Sequence, residues 1–145
     1  MQSIATRLNE GIPDRLVLGG HSFISQLGND PEASNDEQIA IVEACLDAGI
    51  HRFDTTYQPE RKALGRILDA LGRRHEAKIY AWNFFTDFKA DEPVGKPEPF
   101  QPYHMDLMLA QLRSSHIDCL VVIPQEDDEL NGRQVELVTG WRRSG

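Results

Sequence analysis

The chain has 145 residues, 40% hydrophobic and 26% charged, which is enough for a real core and excludes a disordered polymer. Its net charge of -8 argues against nucleic acid or an anionic membrane as partner, since both recruit clustered Lys and Arg. No stretch approaches transmembrane length, and residues 1–7 lack the apolar core of a signal peptide, so a cytoplasmic location is expected.

Residues 4–12 read as a small hairpin turning at Asn9-Glu10-Gly11. Leu16-Val17-Leu18 follows as a short buried strand that closes on Gly19-Gly20. Ser34 and Glu37 have capping-box spacing and open a first helix, whose apolar face carries Ile39, Val42, Cys45 and Leu46. Gly49 ends it. Residues 51–54 read as strand two. Helix two covers residues 60–71, with Ala63, Leu64, Ile67, Leu68 and Leu71 on one face and Gly72 as its stop. Strand three covers residues 78–84. A Pro-rich segment over residues 86–101 is longer than a plain connector needs, and long ordered loops often carry function. Pro102 suits the first position of helix three, which presents Met105, Met108, Leu109 and Leu112. Strand four covers residues 117–123. The acidic run 126–129 reads as a solvated loop before a last helix over residues 133–141.

A strand followed by a helix, four times over, implies an α/β protein with a parallel sheet, here as one domain over residues 1–145. Two architectures fit: an open doubly wound sheet, or part of a (β/α)8 barrel. The chain has no GxGxxG after strand one and no GxxxxGK[ST], so the usual nucleotide reasons for the open sheet are missing. Cys45 and Cys119 sit in apolar runs and are expected to be buried reduced thiols. The histidines are scattered without metal-ligand spacing, so no metal site is expected.

The segment from Phe53 to Gly65 places a carboxylate, Asp54, and a phenol, Tyr57, where a parallel strand ends. That end carries the chemistry of parallel α/β folds. With Ala48-Gly49-Ile50-His51-Arg52-Phe53-Asp54-Thr55-Thr56, Leu64-Gly65-Arg66-Ile67-Leu68 and the stretch from Leu109 to Val122, it resembles the aldo-keto reductases, a family of NADP-dependent carbonyl reductases. The resemblance covers roughly residues 16–141 and implies four of the eight units of a TIM barrel, its N-terminal half. It also implies NADP(H) as cofactor and a small aldehyde or ketone as substrate.

The family works with a tyrosine as general acid, a lysine that lowers its pKa, an aspartate paired with the lysine, and a histidine that orients the carbonyl. Asp54 and Tyr57 match the aspartate and the tyrosine, with Tyr57 nearer Asp54 than the family spacing. Asn83 stands at the lysine position and Ile123 at the histidine position. Neither supplies the missing function, since an amide carries no charge and an isoleucine donates no side-chain hydrogen bond. Without the lysine, Asp54 is expected to raise the phenol's pKa. Arg52, on the same side of its strand as Asp54, offers a substitute cation, with a surface or structural ion pair as its plainer role. His21, after strand one, and Trp82 and Asn83, at the end of strand three, are candidate substrate-pocket residues.

Plainer roles stay open for the same residues. Asp54 is equally a cap at a strand end, Tyr57 a half-buried loop aromatic, residues 82–85 an apolar plug, and Gly19-Gly20 a simple turn. A full barrel takes about 250 residues, and most NADP contacts in the family come from its later strands. The chain is therefore expected to be incomplete, and inactive by itself. The alternatives are a non-catalytic half-barrel that assembles with itself or a partner through exposed strand edges, and a truncated gene product.

Overall fold

In the computed structural model, residues 13–23, 33–86 and 95–145 are described. Four strand–helix units follow one another: β1 (Val17–Gly19) with α1 (Asn35–Asp47), β2 (Arg52–Thr55) with α2 (Gln58–Leu71), β3 (Lys78–Trp82) with α3 (His104–Leu112), and β4 (Cys119–Val121) with α4 (Asp128–Ser144). The strands form one parallel sheet in the order β1-β2-β3-β4. This order decides between the two architectures. A doubly wound sheet reverses its strand order partway, whereas right-handed crossovers between successive neighbours keep every helix on one face, as in a (β/α)8 barrel. No reversal occurs here, and β1 and β4 are the two edges.

The strand pattern follows from this one-sided cover. In β2, Phe53 and Thr55 are buried and Arg52 and Asp54 are half-buried. In β3, Ile79 and Ala81 are buried, while Tyr80 and Trp82 are not. Period-2 alternation thus sends Phe53 and Ile79 into the helix layer and Asp54 and Trp82 to the opposite, inner face. The core joins Phe53 and Ile79 to Val42 of α1, to Leu64, Ile67 and Leu68 of α2, and to Leu112 of α3. Each such side chain contributes about 1.5–3 kcal/mol by leaving water.

Local signals set the helix ends. Ser34 Oγ accepts the Glu37 N–H, and Glu37 Oε2 accepts the Ser34 N–H at 2.8 Å, so the capping box is reciprocal. Gly72 closes α2 in the left-handed region at φ 66°. Gly65 has a different purpose. A Cβ there would lie 2.4 Å from Gln111 O, so its bare backbone is what lets α2 close on α3.

Several boundaries differ from the sequence expectation. The hairpin expected over residues 4–12 lies outside the described residues. So do residues 87–94 of the Pro-rich segment. Helix α2 starts at Gln58, with Glu60 in its first turn. Helix α3 starts at His104, not Pro102, because Pro102 and Tyr103 form a preceding turn closed by His104 N–H to Gln101 O at 2.9 Å. Strands β3 and β4 are shorter than expected, because a side chain replaces the ladder beyond Trp82 and Val121. The acidic run is no plain loop. Asp127 caps α4, accepting from Glu129 N–H at 2.8 Å and Leu130 N–H at 3.2 Å. Asp128 and Glu129 lie in the first turn, where carboxylates favour the helix dipole. Cys45 and Cys119 are free thiols, only half-buried, and burial pushes both pKa values up. Among the described residues no helix is long and apolar enough to cross a membrane.

Candidate functional site at the strand ends

The candidate residues fall into three neighbouring groups at the C-terminal ends of β1 to β4. The first surrounds Asp54. Parallel register sets Asp54 beside Gly19 on one side and Tyr80 on the other. Its Oδ1 accepts the Trp82 indole N–H at 2.5 Å, and its Oδ2 lies 3.5 Å from Thr56 Oγ1. Asp54 and Trp82 are therefore joined, as two candidates on one inner face. Arg52 forms no ion pair with Asp54 among the described residues.

The second group is built on Tyr57, Glu60 and His21. Tyr57 is the extended N-cap of α2, and its ring is 3% exposed. Phe84 meets it edge-on at 5.3 Å, and His21 stacks on it at 6.4 Å between centroids. Three residues on, the Glu60 carboxylate is fully buried at the first turn. Its Oε2 accepts the backbone N–H groups of Thr56 and, at 3.1 Å, Tyr57. Its Oε1 meets His21 Nδ1 at 2.8 Å. Gly20 makes room for this approach, since a Cβ there would lie 2.6 Å from Glu60 Oε2. Burial pushes the Glu60 pKa up, against the pull of its hydrogen bonds to Tyr57, Thr56 and His21. Burial, and then the Glu60 charge, push the Tyr57 phenol up as well. The expected direction is met, but the carboxylate responsible is Glu60 and not Asp54. Tyr57 is accordingly a protonated donor at neutral pH.

The third group removes Asn83 from the open site. Asn83 is fully buried, and its amide is spent on the backbone of Ile123 and on Glu98 O at 3.0 Å. Gln134 of α4 completes the knot, its Oε1 accepting the Phe100 N–H at 3.2 Å. Phe85 turns into a buried cluster with Phe100 and His104, so the plug reading holds for Phe85. Trp82 and Phe84 stay half-exposed beside the site.

Arg61 is the cation that sequence reasoning missed. Its side chain is fully buried, and its N–H groups go to Thr56 O at 3.0 Å, Trp82 O at 3.4 Å, Phe84 O at 2.8 Å and Gln111 Oε1 at 2.7 Å. Burial lowers its pKa to about 10, so it remains charged at pH 7. A dinucleotide needs such a group free for its phosphates, and this one is occupied by carbonyls. Arg61 is therefore unavailable to the phosphates of a dinucleotide. Among the described residues no cluster of His, Cys, Asp and Glu could hold a metal ion.

Glu60 had a usable signal, because a glutamate three residues after an N-cap position is half of a capping box. Two grooves of about 660 and 670 Å³ lie elsewhere, one over Gln38, Lys62 and Arg66, the other between Leu109, Cys119 and Trp141.

No protein-family model and no curated protein matches the chain. Solved structures do, among them two described as a "putative aldo-keto reductase" from Pseudomonas aeruginosa. The first has a TM-score of 0.67 at 19% identity, over 89% of this chain and 50% of that one. The second has a TM-score of 0.66 at 18% identity, over 89% of this chain and 51% of that one. The fold is thus an α/β run of parallel units from a (β/α)8 barrel. In particular, it is the fold of half an aldo-keto reductase, and the chain spans about half the length of the proteins it matches.

Proposed function

We propose that the chain is one domain over residues 1–145, the N-terminal half of an aldo-keto-reductase-like oxidoreductase acting in the cytoplasm on small aldehydes or ketones with NADP(H), and that it is inactive as an isolated chain. One observation carries the inactive part. The lysine and histidine positions hold Asn83 and Ile123, which are hydrogen-bonded to each other and unavailable to a substrate. Asp54 and Tyr57 remain as counterparts of the family's aspartate and tyrosine, with Trp82 against Asp54 and His21 beside Tyr57. The test is cofactor binding by NADPH fluorescence, followed by turnover of a panel of small aldehydes. The expected result is no turnover by the isolated chain. Turnover that Tyr57→Phe abolishes would overturn the inactive reading and restore a working enzyme.

A second reading is a half-barrel that closes against a second copy. It draws support from Leu16 and Val17 at the β1 edge, 45% and 49% exposed, and from Val122 just past β4, 36% exposed. Open parallel edges with apolar flanks favour association. Light scattering is expected to report a dimer. A single monomeric species that unfolds cooperatively would remove this reading.

A further inference from the structure

Tyr57 is buried, yet a proton-transfer group must be reached by its ligand. A reachable one at the described strand ends is His21, whose side chain is 55% exposed. We propose that His21 and Glu60 form an acid–base dyad, in which Glu60 holds the proton on Nδ1 and Nε2 is presented to the hydroxyl of a small hydroxy compound. This goes beyond the reductase reading and does not depend on its cofactor.

The geometry supplies each part. A carboxylate fixed against one ring nitrogen selects the tautomer with the proton on that nitrogen. Here Oε1 of Glu60 faces Nδ1 at 2.8 Å. Its other oxygen is taken by the amides of Thr56 and Tyr57, so the carboxylate cannot swing away. Gly20 leaves the space in which carboxylate and loop meet. Nε2 has no partner among the described residues. Tyr57 lies beside the imidazole, 6.4 Å between ring centroids with planes 25° apart. A ligand hydroxyl would donate to Nε2 and pass its proton there. The O–H bond breaks, the N–H bond forms, and the resulting imidazolium is held by the Glu60 charge. The reverse transfer returns the proton to the ligand oxygen.

His116 is a built-in control, because its side chain is 53% exposed but its Nε2 lies only 3.8 Å from Asp118. Long-range ¹H–¹⁵N spectra of the intact chain at pH about 8, above the ordinary histidine pKa, should show His21 as the Nδ1–H tautomer. Diethyl pyrocarbonate, which acylates an unprotonated ring nitrogen, should modify His21 several-fold faster than His116. Hydroxyacetone at millimolar concentration should shift the His21 Nε2 resonance saturably. In His21→Asn, whose amide can replace Nδ1 as donor to Glu60, melting should be unchanged and the saturable hydroxyacetone response lost. An Nε2–H tautomer, acylation no faster than at His116, or no hydroxyacetone response overturns the dyad. Glu60→Gln should slow acylation of His21, and the wild-type measurements decide the matter if that variant does not fold. None of these readouts involves NADPH or turnover, so failure of the reductase reading would leave them intact.

Discussion

Asn83 and Ile123 bind each other across the ends of β3 and β4. The Asn83 amide donates to Ile123 O at 2.9 Å, and its Oδ1 accepts the Ile123 N–H at 2.8 Å. One side chain thus performs a full rung of a parallel ladder after the strands have parted. The Asn83 backbone adds a further tie, its carbonyl accepting the Glu98 N–H at 2.7 Å. An asparagine can do this because one amide offers both a donor and an acceptor, which a lysine cannot. Asn83 is thus a structural joint between the ends of β3 and β4.

Asn83→Leu should therefore cost about 1–3 kcal/mol, since it leaves part-buried backbone groups of Ile123 and Glu98 without their side-chain partner. Urea unfolding should show a lower midpoint with an unchanged slope. Asn83→Lys should destabilise similarly and bring no carbonyl reduction. Gain of turnover in that variant would show that the site tolerates a free cation and that the joint is dispensable.

Arg61 ties the segments after β2 and β3 to α3 through carbonyls of Thr56, Trp82 and Phe84 and the Gln111 side chain. Its planar fork reaches several acceptors at once, while a lysine brings a point charge to the same buried place. Arg61→Lys should cost about 2–4 kcal/mol, read by thermal or urea unfolding. A loss within experimental error would mean the carbonyls find water or other donors.

Much of the fold could be read locally. Ser34 with Glu37, and Gly72 after Leu71, mark helix ends by chemistry confined to a few neighbouring residues. The alternation of strands and helices needs only the apolar period. The burial of Glu60 and Arg61 had no such signal, because charged residues at a helix start read as solvated. Their partners, His21 and Gln111, lie 39 and 50 residues away along the chain. The acidic run is solvent-exposed as expected, but it holds the start of a helix and is not all loop. Asp127 caps α4 by the same chemistry as Ser34 at α1, but the surrounding charges read as solvent-facing loop. Asp54 and Tyr57 could be picked out as candidates, whereas the pairing of Tyr57 with Glu60 in place of Asp54 is a tertiary fact.

Gly65 and Gly132 should respond oppositely to alanine. At Gly65 the new methyl would meet Gln111 O at 2.4 Å and the Leu112 carbonyl carbon at 2.6 Å, both backbone atoms that cannot yield without moving α3. Gly65→Ala should cost about 1–3 kcal/mol by overpacking. Gly132 lies within α4 with nothing within 4 Å of a Cβ, so Gly132→Ala should stabilise by about 0.5–1 kcal/mol through helix propensity. Equal melting shifts for the two variants would contradict the close approach of α2 and α3.

His104 should make the protein acid-sensitive. Its ring is 2% exposed and stacks on Phe85 at 3.5 Å with planes 14° apart. Nδ1 accepts the Gln101 N–H at 3.0 Å, so a proton arriving there would displace a hydrogen bond. Burial pushes the His104 pKa down; nearby Glu98 opposes this and Arg61 adds to it. The unfolded chain binds its proton near pH about 6.5, the ordinary histidine value, and the folded chain only at lower pH. The His104 contribution is thus fully present above the unfolded pKa and is lost as pH falls through it toward the folded pKa. Glu60 acts in the other sense. Its raised pKa gives a contribution present below the unfolded carboxylate pKa and lost as pH rises through the folded value. Urea midpoints measured between pH about 7.5 and about 5.5 should therefore fall through His104. In His104→Asn, an amide oxygen can still accept the Gln101 N–H but nothing titrates, so the pH slope should flatten. A wild-type slope retained in that variant would assign the acid sensitivity to another group.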